Sequence, residues 1–391
     1  MAGSRDAAPL TFIDCDNCDM SHIRQEITFV NYVRDPGLAE VHVMITRQGT
    51  GGGGRMYSLA FTGRGPFDGV RNTLTFAARA TATSAEEREG LTRVLSLGLV
   101  PYVARTTLVV QLSLTFDDAG EARPVAAADR WKNWTFEVYG GGNFNVEARQ
   151  DSWSARYGSY ASRVTDDWKV QFRPYFNHNG RTIRRPEEED VRISQRRHGF
   201  DSHLIRSLGP HWGAGLFGSY ETTTIDNLDH RVTVAPAIEY SLYPYAQASR
   251  RQITLTYRVG YEAADYIEET IYEKTQETLF NQSLNASVRI RQPWGSIFSG
   301  LTGSMYLHDA SYHRIRANSN LSFRLGRGIA LDVGGSYERI NDQLALPRGD
   351  TSLEDILLQR RRLATSYRGS GSIGLSYTFG SIYSNIVNPR F

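Results

Sequence analysis

Two cysteines in 391 residues are too few for a disulfide scaffold, and both fall in one C-x-x-C, Cys15 and Cys18. No run of about 18 apolar residues occurs, which excludes a transmembrane helix. Neither sign of charge dominates: 44 Lys+Arg against 42 Asp+Glu leave +2, so no basic field invites nucleic acid and no acidic tail is present. The first ten residues, MAGSRDAAPL, lack the apolar core and small-residue cleavage site of a secretory signal. On the reading reached below, that signal has been removed or the start codon is misplaced. These absences leave one membrane class untouched. A transmembrane β-barrel alternates lipid-facing and lumen-facing residues, so its average hydropathy reads as soluble while Gly and aromatics run high. Here there are 36 Gly, 6 Trp, 21 Tyr and 17 Phe.

The length exceeds one ordinary domain of roughly 100–200 residues, and the periodicity changes along it. Residues 1–9 are expected to be disordered, residues 10–117 to form a small α/β (α+β) unit, residues 118–130 to link, and residues 131–391 to form a barrel. In the first unit a strand at 11–15 precedes a short helix from Ser21 to Ile27. Val41, Val43 and Ile45 then alternate, as do Tyr57, Leu59 and Phe61, on either side of GTGGGG at 49–54. That stretch lacks the Lys-Ser/Thr of a phosphate-binding loop and reads as a hairpin tip. Ser84-x-x-Glu87 reads as a capping box opening a helix of about 20 residues, with Leu91, Val94, Leu95, Leu99 and Tyr102 on one face. Leu108, Val110, Leu112, Leu114 and Phe116 alternate as a final strand. Cys15 and Cys18 are expected to be either one small-loop disulfide, the outcome an oxidising compartment favours, or a free pair, and the sequence leaves the two open. Zinc would need further ligands, and only His22 and His42 are near, so no metal and no cofactor is assigned. A redox role is the alternative, since the motif precedes a helix.

Beyond the linker DAGEARPVAAADR, alternation continues for more than 240 residues. Twelve strands are expected: 133–144, 151–163, 167–178, 191–207, 211–223, 228–242, 251–265, 279–292, 295–308, 312–325, 328–341 and 361–379. An even count suits a single-chain barrel with both termini on one side. Most of the short connections follow even strands and most of the long ones follow odd strands, as in barrels with short periplasmic turns and longer external loops. The apolar set would face lipid, leaving Glu137, Lys169, Gln171, Arg173, Glu221, Arg258, Arg289, Arg291, Arg324, Asp332 and Glu338 to line the lumen. An open passage needs a wet path past Arg173, Arg258, Arg289 and Arg324, whereas a plug would pair them with Glu137, Asp332 and Glu338.

No catalytic residue is assigned. Asp309, Ser311 and His313 are the nearest approach to a hydrolase grouping, and strand alternation puts them at an external rim. Glu187, Glu188, Glu189 and Asp190, beside Arg181, Arg184 and Arg185, read as a solvated loop, with divalent ions or lipopolysaccharide phosphates as the alternative ligands. Ser352-x-x-Asp355 before Ile356, Leu357 and Leu358, closed by Arg360, Arg361 and Arg362, reads as a capped helical turn over the mouth or a self-packed loop.

The last strand carries Ser372, Gly374, Tyr377 and Phe379 in a polar-x-Gly-x-x-aromatic-x-aromatic order, and the chain ends in Phe391. This resembles the signal that barrel-assembly machinery reads on its clients. The closing stretch LATSYRGSGSIGLSYTFGSIYSNIVNPRF makes the barrel, about two thirds of the chain, resemble the uncharacterised family of salt-induced outer-membrane proteins. The first unit resembles small periplasmic α/β modules. The resemblance implies outer-membrane lipid, lipopolysaccharide, the assembly machinery and a periplasmic protein as partners, with both termini in the periplasm. The expected function is a narrow channel or uptake pore for small polar solutes, with a closed anchor or receptor barrel as the alternative and a lipid hydrolase as the third.

Overall fold

The computed structural model describes residues 7–50, 54–79, 81–113, 129–185, 189–326, 328–348 and 364–388. The first unit is a five-stranded sheet in the order β2-β1-β3-β4-β5, built from β1 (Leu10–Asp14), β2 (Asn31–Tyr32), β3 (Val41–Gly49), β4 (Arg55–Gly63) and β5 (Arg71–Ala78). β1 pairs parallel with β2 and β3, and β3, β4 and β5 form an antiparallel meander. Helices α1 (Met20–Glu26) and α2 (Ser84–Val103) contribute Ile23, Leu91, Leu95, Leu99 and Tyr102 to one core with Val43, Ile45, Leu59 and Phe61. The helix packs close because Gly98 meets the Phe61 ring, whose atoms lie 2.0 Å from where a Cβ would stand.

Three details differ from the sequence reading. The capping box exists one residue earlier, on Thr83 and Glu86. Thr83 Oγ1 accepts from Glu86 N at 3.2 Å, and Glu86 accepts from Thr83 N at 2.8 Å. The strand expected at Leu108–Phe116 is, over Thr107–Gln111, a 3₁₀ turn. Alternation there has no ladder to join, since Thr106 caps the turn through Leu108 N and Val110 is 85% exposed; Leu114, Phe116 and the linker to residue 128 lie outside the described residues, as does the hairpin tip at 51–53. Conversely, β5 is a strand the sequence reading lacks, because Leu74 and Phe76 supply too short an apolar alternation to stand out against its polar positions.

The second unit is a twelve-stranded antiparallel sheet in strict sequence order. Its strands are β6 (Trp134–Val146), β7 (Gln150–Val164), β8 (Trp168–Ile183), β9 (Val191–Ser207), β10 (Trp212–Thr223), β11 (Leu228–Ser241), β12 (Arg251–Tyr266), β13 (Gln276–Gln292), β14 (Gly295–Tyr306), β15 (His313–Gly326), β16 (Ile329–Ile340) and β17 (Tyr367–Tyr377). Twelve strands were expected and twelve form; ten have both ends within three residues of the expected ones, while β8 runs five residues further and β17 begins six later, of which 361–363 lie outside the described residues. One element of the expectation is not realised: the order runs from β6 to β17 with no ladder joining them among the described residues, so the sheet has two free edges where a closed barrel has none.

Burial in this sheet is reversed. In β12, Leu255 and Tyr257 are 47% and 41% exposed, while Thr254, Thr256 and Glu262 are buried. The register extends the outward face sideways: Tyr257 lies opposite Ile238 and Leu284, and Leu255 opposite Tyr240 and Ala286. Period-2 alternation fixes which face each residue takes, and the polar set is the one that packs inward.

Candidate functional site

The inward face begins at its centre, where Arg258 on β12 lies over the Phe217 ring of β10 at 3.9 Å. That contact spans the intervening strand, and farther along the same face Arg231 of β11, Glu262 of β12, Tyr306 of β14 and Arg314 of β15 line one cavity, so the polar face is concave. Around it the charges are paired. Arg173 binds Asp201. Glu221 takes Arg197 and Arg231 at 2.6 Å each, and Arg231 also reaches Glu262 at 4.0 Å. Glu338, 4% exposed, holds Arg314 at 3.2 Å, Arg316 at 2.7 Å and Arg368. Glu239 accepts from Thr256 at 2.7 Å and Tyr245 at 3.0 Å. One carboxylate among three guanidiniums is held by charge-assisted bonds, the strongest kind available to a wet face.

One end of the concave face is covered. The segment after β16 folds back so that Ala345 packs on Leu228, Ala264 and Tyr266. Asn227, with φ of 56°, donates to Glu268 O at 2.9 Å and Ala345 O at 3.0 Å. Ile271 N and Arg348 N donate to Leu346 O at 2.8 Å and Glu269 O at 2.7 Å. Below this cover is a cavity of about 300 Å³ lined by Arg231, Glu262, Tyr306, Arg314 and Asp342. The capped turn expected at Thr351–Arg362 lies outside the described residues.

The opposite end meets the α/β unit. β3 is buried at six consecutive positions, Val41 to Thr46, because helices cover one face and the large sheet the other. On that second face Asp14, 2% exposed, receives Arg324 Nη1 and Nη2 at 2.6 and 2.8 Å. Arg291 stands 3.8 Å from Asp14 and 2.9 Å from Asp16. The chain's other end closes the same seam: Val33 bridges Tyr383, Arg34 N donates to Ile382 O at 3.1 Å, and Ser384 N donates to Tyr32 O at 2.9 Å. His42 stacks on Phe12 and stands 3.8 Å from Asp14. Burial pushes its imidazole down to about 4, with Asp14 pulling the other way and Arg64 and Arg324 adding to the depression. At neutral pH the ring is therefore uncharged.

Of the lumen candidates, Arg173, Glu221, Arg258 and Glu338 are brought together on the concave face. Arg324 and Arg291 keep the face expected of them, in register with Arg316 and Asn285, and at the end of that face Asp14 and Asp16 of the first unit engage them. Their strands end at the short connections, where a buried carboxylate from another unit reaches them and period-2 alternation gives no hint of it. Lys169, Arg289 and Asp332 are exposed; Asp332 lies opposite Ser322 and Gly374. Glu137, on the free-edge strand β6, is exposed opposite Tyr160. Gln171, half-buried on β8, stands opposite Ser162 and His203. Among the described residues Glu137 and Asp332 do not make the pairs that a plug would need; Asp201 takes Arg173 and Asp14 takes Arg324. Asp201 was absent from the candidates, although Arg173 at mid-strand asks for a cross-strand acid. Cys15 and Cys18 are joined by a disulfide. Ser372 and Gly374 sit opposite Gly334 and Asp332, and Tyr377 stacks on Phe379 at 5.2 Å; Phe391 lies outside the described residues. His313 turns its two ring nitrogens to Ala310 O at 3.1 Å and Asn341 at 3.3 Å, and Asp309 caps Ser311 N at 2.8 Å. That geometry orients no nucleophile. Arg184 binds Asp151 and Arg181 Gln150; Glu187 and Glu188 lie outside the described residues. No group of three or more His, Cys, Asp and Glu able to hold a metal occurs among the described residues.

No family model and no curated protein matches the chain, so the resemblance to salt-induced outer-membrane proteins gains no support there. Among solved structures the chain is similar to the NanC porin in a rhombohedral crystal form, at 10% identity over 62% of this chain and all of that one, with a TM-score of 0.26. An overlap that slight transfers neither fold nor activity.

Proposed function

We propose that the twelve-stranded sheet closes β6 onto β17 in the outer membrane of a Gram-negative envelope, and that its concave face forms a narrow passage for small polar solutes. The observation that carries this is the reversed burial: a band of Leu, Ile and Tyr faces outward across five adjacent strands while Thr, Glu and Arg pack inward. A water-soluble sheet has no reason to expose its apolar face and bury its charges, whereas a bilayer rewards that arrangement. Even strand number makes β6 and β17 antiparallel, so closure satisfies both free edges, which hydrocarbon otherwise penalises. Twelve strands give a lumen between side-chain-filled barrels and wide porins. The paired charges around Glu221 and Glu338 make it polar and tight, and the cover held by Asn227 acts as its gate. Both termini and the α/β unit lie on the periplasmic side, at the short connections. Lipid and lipopolysaccharide surround the barrel, and assembly machinery reads Ser372 to Phe379.

Single-channel recording on the intact chain in a planar bilayer tests the passage. Steady small conductance is expected, and Glu338→Gln, which strands three guanidiniums, shifts selectivity toward anions. Silence from a folded, inserted protein refutes a passage. The result then favours the second reading, a membrane anchor for the α/β unit, which the seam between Asp14 and Arg324 supports.

A further inference from the structure

Above the seam lies a cavity of about 710 Å³, between the α/β unit and the β13–β14 and β15–β16 connections, a size within the usual range for small-ligand sites. Its charge is one-sided. Arg24 from α1, Arg34 following β2 and Arg64 following β4 all line it, and among the described residues none of the three forms an ion pair. Arg324 also lines it but is engaged by Asp14. The acid on the wall, Asp35, is turned to cap Gly37 N at 2.8 Å. Among the described residues the Arg64 side chain makes one hydrogen bond, from Nη1 to Pro36 O at 2.6 Å, and Arg24 Nε is buried without an acceptor. Burial lowers the Arg24 guanidinium from its ordinary range, and the nearby Arg34 lowers it further, against the opposing effect of Tyr32. Three arginines lining one cavity without a carboxylate partner repel one another, a cost that an anion in the cavity would offset.

The geometry points to a binding site for a phosphoryl anion in this cavity, held by Arg24, Arg34 and Arg64. A phosphoryl group offers enough oxygens and charge to engage several guanidinium forks at once, which a lone carboxylate does not. Phe12, Tyr32 and Trp294 complete the wall, so the ligand carries an organic portion beside the anion. That chemistry is shared by a soluble phosphate ester and by an anionic phospholipid headgroup reaching the rim of the sheet. The site does not depend on the passage proposed above; only the lipid source depends on the membrane reading.

The test uses the intact, refolded chain. Calorimetric titration with inorganic phosphate in an uncharged detergent forms one arm, and retention of phosphatidylglycerol over phosphatidylcholine in native mass spectrometry forms the other. Saturable binding in at least one arm is expected, weakened about tenfold or more by Arg24→Met, in line with the loss of a charge-assisted bond. Arg34→Gln, at an exposed position, gives the same direction should Arg24→Met fail to fold. Arg93→Gln, an exposed arginine of α2 outside the cavity, leaves binding unchanged. Phosphate binding without lipid preference identifies a soluble ester, and lipid retention without phosphate binding identifies a headgroup; each supports the site. Absence of binding in both arms, or equal loss in Arg93→Gln, overturns it.

Discussion

Replacing Asp14 by Asn removes the charge at the centre of the seam while keeping the side chain's shape and one acceptor. The wild-type carboxylate is 2% exposed and takes both terminal nitrogens of Arg324. Removing one partner of a buried ion pair costs about 3–5 kcal/mol. The Arg324 side chain is 31% exposed, so water partly screens the stranded guanidinium and the expected loss falls to about 2 kcal/mol. A loss of that size raises the population of the opened seam about 30-fold. The amides to follow are Arg34 N and Ser384 N, which donate across the seam to Ile382 O and Tyr32 O. Native-state hydrogen exchange reads their opening free energy directly. Asp14→Asn and Arg324→Gln should each accelerate exchange at these two amides, and the double variant should add little to either single one, because the two residues share one interaction. Additive effects, or exchange that rises equally in α2, would show that Asp14 supports the unit's own fold and not its docking.

His42 predicts a pH dependence. Its folded value of about 4 lies below its ordinary 6.5, so between those values the unfolded chain binds more protons. The stabilisation is complete above about pH 6.5 and is lost as pH falls toward 4, by about 3 kcal/mol. Urea titration of His42→Gln beside the parent isolates it: the parent's stability should fall more steeply over that window, and parallel curves would refute the burial argument. Gly98→Ala should destabilise the α/β unit by about 1–2 kcal/mol in thermal unfolding, since the clash with Phe61 outweighs the helix-propensity gain. An unchanged or raised midpoint would mean that the ring yields. Leu255→Arg separates a bilayer from water: it should cost about 2–4 kcal/mol in phospholipid vesicles near mid-bilayer, against about 0.5 or less for an exposed position in water. A urea midpoint unmoved in vesicles would contradict the outer-membrane reading.

The strands of the large sheet were legible because period 2 is a local property. The alternation of Leu255, Tyr257 and Tyr261 with Thr254, Thr256 and Arg258 needs no knowledge of neighbours to be read as one strand with two unlike faces. The α2 helix was legible for the same reason, through Leu91, Leu95, Leu99 and Tyr102, although its cap lay one residue from the place expected. Thr83 and Ser84 are both competent caps, and only the hydrogen bond to Glu86 decides between them. The segment at Leu108 carried the same local signal as a strand and became a 3₁₀ turn, since a strand exists only where another strand offers it a ladder.

Composition and alternation by themselves determined that this chain holds a twelve-stranded sheet with one apolar and one polar face behind a small α/β unit, because side-chain direction along a strand is set residue by residue. Tertiary structure alone decided which charges meet. Arg324 bonds Asp14 across 310 positions, Arg173 finds Asp201, and the C-terminal stretch extends the sheet of the first unit at Val33. Such pairings depend on how the sheet curls and where the first unit docks, and those are properties of three-dimensional packing that no local period encodes.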